Sequence, residues 1–235
     1  MSRIAVVTFD LDNTLWDVDA VIRTAERVTR QWFDTHVPEL NATLTPADLQ
    51  AIRQQLVIER PDLAHDLSRI RRAVFEQAIL RVGRGAEESR RLADEAFRLF
   101  LDERHKVSFF DDALDVLDRL ARRHQLGALT NGNANIGRLG LDRFFRFAYS
   151  AADVGAAKPA PQMFRAALAH ADVAEHRMIH IGDNPLDDIQ GAADLGIGTI
   201  WVNLDQRSAA SPPATRTVHR LRDIPNAVEA IEAGD

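Results

Sequence analysis

Two aspartates, Asp10 and Asp12, stand one residue apart directly after the apolar run at residues 4–9. Residues two apart on a strand point to the same side, so the two carboxylates can converge at one edge of a sheet. Like charges at the end of an apolar segment repel each other and lose hydration, so they need positive charge beside them. Three further polar segments come off apolar runs. Thr130, Asn131 and Gly132 follow "LGAL" and offer a hydroxyl and backbone N–H groups suited to phosphate oxygens. Lys158 precedes Pro159, which biases its backbone to an extended form and lets it enter a site as a cation on a fixed stem. Asp183 follows "MIHIG", with Asp187 and Asp188 at the start of the next segment. Acidic groups at a second strand end complete an all-oxygen site for a hard cation, which selects Mg²⁺ over softer metals.

Each segment also has an ordinary reading. "DLDNT" can be a helix cap or turn, and Asn131-Gly132 an ordinary turn. An isolated lysine is solvated. Asp187 and Asp188 can complement a helix dipole in its first turn, and one of the two can serve that purpose alone. What lifts the set is that all four segments sit at the ends of predicted strands.

Those strands follow from the pattern. Residues 4–9 are apolar and rich in β-branched side chains, the signature of a central parallel strand covered on both faces. After residue 108, apolar runs ("LGALTNG", "FRFAYSA", "RMIHIGDN", "GTIWVN", "RTVHRL") alternate with amphipathic segments ("DDALDVLDRLARRH", "APQMFRAALAHA", "LDDIQGAADLG", "IPNAVEAIEA"). Repeated βα units predict an α/β fold with a parallel sheet and helices on both faces. Gly196 closes one predicted helix. Residues 203–216 are polar and Pro-rich and read as a surface loop. Between the first strand and this alternation lies an all-helical stretch. Val21, Ile22, Ala25, Val28, Trp32 and Phe33 recur at helical spacing. Thr45, Pro46 and Asp48 form a helix-start signal. Residues 66–82 and 87–100 are also helical in period. An insert after a strand sits at the edge where open α/β sheets bind ligands, which makes it a candidate lid.

Composition narrows the function. The 235 residues are 46% hydrophobic with charges mixed throughout, a globular composition. The formal charge is 29 − 35 = −6, and no long basic run supports nucleic-acid binding. The absence of cysteine excludes disulfides, thiolate nucleophiles and Cys-ligated metals, and fits a cytoplasmic location. No run approaches about 18 apolar residues, so no membrane span is expected.

The ordered set Asp-x-Asp, Thr, Lys and Gly-Asp resembles the haloacid dehalogenase (HAD) superfamily of aspartyl-phosphate phosphohydrolases. "TFDLDNTLWD", "LAHDLSRIRR", "LTNGNANIGRLGLDRFF" and "KPAPQMF" are similar, within it, to bacterial phosphatases acting on flavin mononucleotide and on 5-amino-6-(5-phospho-D-ribitylamino)uracil. The resemblance implies a Rossmann-like parallel-sheet core, 1–16 and 106–235, and an inserted all-helical cap of the C1 type, 17–105. It implies Asp10 as nucleophile and Asp12 as general acid/base. Thr130, Asn131, Gly132 and Lys158 would hold phosphoryl oxygens, with Lys158 also counted as catalytic. Mg²⁺ would lie on Asp10, the Asp12 backbone carbonyl, Asp183 and Asp188, with Asp187 a rival for the last place. In the insert, His65, Asp66 and Arg69 either read the substrate or form a solvated helix face. Trp16 either packs or presents its ring to a flat substrate. The expected partner is a small phosphorylated metabolite, with no nucleic acid or membrane, and the chain a monomer or homodimer. Sugar-phosphate hydrolysis, a phosphomutase reaction and a non-catalytic, receiver-like phosphate-binding protein are the alternatives.

Overall fold

The computed structural model describes residues 4–208 and 214–234; residues 209–213 of the Pro-rich loop lie outside the described residues. Six strands form one sheet: β1 (Val6–Phe9), β2 (Gln125–Thr130), β3 (Phe145–Ser150), β4 (Met178–Gly182), β5 (Gly198–Val202) and β6 (Arg216–Val218). Their order is β3-β2-β1-β4-β5-β6, and every pairing is parallel. β1 is buried at all four residues, as a strand covered on both faces must be. The chain builds outward from β1 through β2 to β3, then returns to the other flank of β1 to place β4. That reversal opens a crevice beyond the carboxyl ends of β1 and β4, where open α/β sheets bind ligands. Phe9 pairs with Ile181, so the residues leaving both strands emerge side by side. Asp10 extends the ladder by donating its N–H to Ile181 O at 2.8 Å.

The chain divides into two compact units. One runs to Asp17 and resumes at Ser108; the other is Val18–Val107. The first holds the sheet with α6 (Ala113–Ala121), α7 (Ala151–Val154), α8 (Gln162–Ala171), α9 (Gly191–Ala193) and α10 (Ile224–Ala233). Of these, α8 packs on β2 and β3, and α10 on β5 and β6. The second unit is helical: α1 (Val18–His36), α2 (Pro38–Thr43), α3 (Pro46–Glu59), α4 (Leu67–Arg81) and α5 (Ala86–Arg104). Along α1, Val21, Ala25, Thr29 and Phe33 make one buried stripe at a spacing of four, and Phe33 meets Phe75 of α4 edge to face. The start of α3 is a capping box: the Asp48 N–H donates to the Thr45 hydroxyl, and the Thr45 N–H to the Asp48 carboxylate. No helix among the described residues is long and apolar enough to cross a membrane.

One segment departs from the expected pattern. Residues 185–190 form a π-helical turn, Pro185–Gln190, ahead of the short α9, where the periodicity predicts continuous α-helix. The Ile189 N–H reaches back five residues to Asn184 O at 3.3 Å, while the Asn184 side chain accepts from the N–H groups of Leu186 and Asp187. A π-turn carries an extra residue per turn and is common at functional sites.

Close approach also fixes Gly127 in β2. A Cβ there would collide with the Phe147 ring of β3. Gly127→Ala should therefore destabilise the protein by about 1–3 kcal/mol. Urea unfolding would show a lower midpoint at constant slope; an unaltered midpoint would mean the sheet accommodates the methyl freely.

Candidate active site

The innermost element of the site is a buried ion triad. Lys158 Nζ donates to Asp10 Oδ1 at 2.8 Å, to Asp188 Oδ1 at 2.6 Å and to the Leu129 carbonyl at 2.7 Å. All three ammonium protons are used, and all three charged residues are buried. Burial opposes the Lys158 charge, but the two carboxylates outweigh it and hold the ammonium above its ordinary range. One cation cannot neutralise two anions. Burial also opposes the Asp188 charge, but the Lys158 cation and the His180 hydrogen bond hold its carboxyl below the usual range. Burial pushes Asp10 well up despite Lys158, with repulsion from Asp188 and Asp12 adding to it.

Asp183, at the end of β4, adds a third carboxylate. Burial, then repulsion from Asp188, pushes its pKa up to about 6. The Thr14 hydroxyl lies 3.4 Å from both Asp10 Oδ2 and Asp183 Oδ1 and, with one proton, serves one of them at a time. Oxygens of Asp10, Asp183 and Asp188 lie within 4.8 Å of one another. Three carboxylates in a partly dry crevice, two with raised pKa, are a donor set that fits a hard cation.

Position 188, not 187, joins this group. Asp188 turns inward, where its Oδ2 also accepts the Asn184 N–H at 3.0 Å. Asp187 instead accepts from the side chains of Asn131 at 3.3 Å and Asn184 at 3.2 Å. Gly182 makes room for the inward turn, since a Cβ there would overlap the Asp188 carboxylate.

The turn after β2 is engaged in specific ways. Thr130 is buried, and its oxygen accepts the Gly132 N–H at 2.9 Å. Asn131 clamps the backbone of Lys158: its Oδ1 accepts the Lys158 N–H at 2.7 Å and its Nδ2 donates to Lys158 O at 3.0 Å. Its side chain therefore braces the lysine and does not point a donor at a phosphate. Asp12 is half-buried and accepts the Trp16 indole N–H at 3.0 Å. Trp16 is itself 0% exposed and meets Phe109 edge to face, so its ring packs and offers no open face for stacking on a substrate. In the helical unit, Asp66 is the N-cap of α4 and accepts the Arg69 N–H at 2.9 Å. The Arg69 guanidinium pairs with Asp62 at 3.0 Å in an exposed ion pair, and His65 is exposed.

Two residues near the site escape sequence reading. His180 lies directly across from Thr8 in the β1–β4 register and is completely buried. Its Nε2 is 3.2 Å from Asp188 Oδ1 and its Nδ1 is 2.9 Å from the Thr8 hydroxyl. Burial lowers its pKa, which favours the neutral ring. With the proton on Nδ1, a lone pair on Nε2 would face a carboxylate. A proton on Nε2 lets His180 donate to Asp188 and brace it, while Nδ1 faces the Thr8 hydroxyl, which also lies 3.2 Å from Ile179 O. A histidine inside the otherwise apolar "MIHIG" is the one signal that could have revealed it. Arg207 donates to the Asp183 main-chain carbonyl at 2.9 Å and lies 3.7 Å from its carboxylate. Asn203 pins the Arg207 backbone from both sides, N–H and carbonyl.

Comparison with known proteins places this geometry. A family model for haloacid dehalogenase-like hydrolases matches residues 4–196. The 5-amino-6-(5-phospho-D-ribitylamino)uracil phosphatase of Escherichia coli is 34% identical over 202 residues, covering 86% of this chain and 84% of that protein. The mouse N-acylneuraminate-9-phosphatase is 26% identical, covering 99% and 96%. Among solved structures, a 2-haloacid dehalogenase from Pseudomonas syringae superposes with a TM-score of 0.93 at 39% identity, covering 96% and 98%. A Bacillus subtilis HAD-hydrolase solved with bound magnesium gives 0.66 at 25% identity, covering 97% and 99%. With the family model spanning most of the chain, and the sheet order and charged strand ends consistent with it, this protein belongs to the haloacid dehalogenase-like hydrolases.

Proposed function

We propose that the protein is a Mg²⁺-dependent phosphomonoester hydrolase of the cytoplasm that works through an aspartyl-phosphate. The observation that carries this reading is the buried Asp10–Lys158–Asp188 triad, with Asp183 beside it at the same sheet edge. Asp10 attacks phosphorus through a carboxylate oxygen, and the ester oxygen departs with a proton from Asp12. Asp12 then takes a proton from water as that water cleaves the acyl-phosphate, releasing inorganic phosphate and restoring Asp10. The Thr130 hydroxyl and backbone N–H groups of the following turn hold the phosphoryl oxygens, and the Lys158 cation beside Asp10 offsets their charge. Asp10, Asp183, Asp188 and the Asp12 carbonyl hold the magnesium, which when bound supplies positive charge against the carboxylates and the phosphoryl group. The helical segment 17–105 serves as a cap that chooses the substrate. Likeness to the E. coli enzyme supports a small metabolite of the ribityl-aminouracil phosphate or flavin mononucleotide type.

The solved relative named a dehalogenase sets the competing reading. A haloacid dehalogenase of this superfamily needs no metal and lacks an aspartate at the position of Asp12. The presence of Asp12 and the three-carboxylate cluster favour phosphate chemistry. Phosphate release from p-nitrophenyl phosphate with Mg²⁺, absent in EDTA and lowered about 10³-fold or more in Asp10→Asn, is the expected result. Chloride release from 2-chloropropionate, with no phosphate release under any metal, would reverse the assignment. For the substrate, kcat/KM over a panel of phosphorylated metabolites should rank the flavin-type compounds above sugar phosphates; the opposite order removes the subfamily reading.

Asp183 gives a test with no turnover in it. Its carboxyl is pushed from the ordinary 3.8 up to about 6. Folding therefore favours its protonated form, and that contribution is full below about pH 3.8 and is lost as pH climbs through about 6. At pH 7.5 without metal, the ionised Asp183 weakens the fold. Asp183→Asn should then melt above wild type in EDTA, with the gap narrowing toward pH 4. With Mg²⁺ present the order should reverse, because the variant loses the ion's stabilisation. An equal Mg²⁺-induced shift in both proteins would remove Asp183 from the metal site.

A further inference from the structure

Trp16 is a fully buried aromatic whose one polar atom is spent on Asp12. The turn carrying both residues is closed on itself. The Asn13 N–H donates to Trp16 O at 2.8 Å, and Thr14 and Leu15 both donate to Leu11 O. Asn13 takes a left-handed φ of 60° to make this possible. From the other side, Phe109 holds the indole edge to face at a centroid distance of 5.8 Å, and residues 16 and 109 bridge through their backbones. The Phe110 N–H fixes Leu15 O at 2.8 Å. The indole cannot rotate without losing these contacts, so the direction of its N–H is set by the fold. A fixed donor on Asp12 Oδ1 restricts the rotation of that carboxyl group.

We infer that Trp16 is a positioning residue: through its N–H it orients the Asp12 carboxyl for proton transfer to the leaving group. This rests on the phosphatase reading above. In the first step the Asp10 oxygen bonds to phosphorus, the phosphorus–ester oxygen bond breaks, and the Asp12 proton moves to the departing oxygen. An alkoxide leaves poorly without that proton. A p-nitrophenolate leaves well without it. Misaiming Asp12 therefore harms the two classes of ester unequally, whereas general damage to the site harms them alike.

The experiment compares wild type, Trp16→Phe and Asp12→Asn on p-nitrophenyl phosphate and on an alkyl phosphate, at saturating Mg²⁺. Trp16→Phe keeps an aromatic ring and deletes the donor. Its loss on the alkyl ester should exceed its loss on p-nitrophenyl phosphate by about ten-fold or more, carried by kcat rather than KM. Asp12→Asn should show the same bias, more strongly. Should the smaller ring fail to fold, a 3-benzothienylalanine placed at position 16 preserves the bicycle and removes only the N–H, and should give the same bias. Equal losses on both esters, or no loss on either, overturn the inference. Wild type inert toward both esters would instead remove the phosphatase reading and take this inference with it.

Discussion

The site depends on one ammonium placed between two carboxylates out of reach of water. Lys158 satisfies its three protons on Asp10, Asp188 and Leu129 O, and no bulk solvent shares the load. Taking away one partner of such a buried pair costs about 3–5 kcal/mol, because the remaining charge is stranded. Much of the surrounding structure serves to keep the three groups in place. Asn131 grips the Lys158 backbone from both sides. His180 and the Asn184 N–H grip Asp188. Gly182 leaves the space that Asp188 fills. With Asp183 the site sets three carboxyl groups against one ammonium. That surplus is what makes the crevice receptive to a hard cation.

Sheet topology explains why these residues meet, though they lie far apart in sequence. Parallel strands all end at the same edge, and the order with β1 between β2 and β4 brings three strand ends together. Asp10 continues the β1–β4 ladder by one more hydrogen bond, so its position is set by main-chain pairing rather than by loop packing. The π-turn after Asn184 then rotates Asp188 toward Lys158 and leaves Asp187 beside Asn131 and Asn184. A site built this way has its charged groups braced by the fold itself, in keeping with electrostatic preorganisation.

How much of this could be read from residues alone depended on whether the signal was local. The inner strands β1, β2, β4 and β5 were visible as apolar runs, because parallel strands buried on both faces are apolar throughout; β3 and β6 are partly exposed and left a weaker, mixed pattern that includes Arg146 and Arg216. The Thr45 capping box was visible because it is written in residues three apart. Asp10 and Asp183 were visible because a charge at the end of an apolar run is costly unless an opposite charge meets it; Lys158 was marked only by the proline after it and by its place in the ordered set. The choice between Asp187 and Asp188 was not visible, because it turns on an extra residue in one helical turn that no α-helical periodicity encodes. Nor was Asn131, which reads as a turn residue and acts as a brace across 27 positions. His180 was hidden by the apolar strand around it, and Arg207 by a Pro-rich segment that reads as plain loop.

The two aspartates of the first strand end stand in different surroundings, and the difference suits the two roles proposed for them. Asp10 is buried against a cation and beside two other carboxylates, the surroundings of a group held by charge. Asp12, two residues on, is half-buried and accepts from a neutral indole. Leu11 between them is fully buried and anchors the segment to the core. A nucleophile needs a fixed location and an ionised oxygen. A proton carrier needs a fixed orientation and must change charge during the cycle. The Trp16 indole is a neutral donor, which orients the group at a small electrostatic cost. The pairing of Asp10 with Lys158 and of Asp12 with the Trp16 indole thus suits the two-step hydrolysis proposed for this chain.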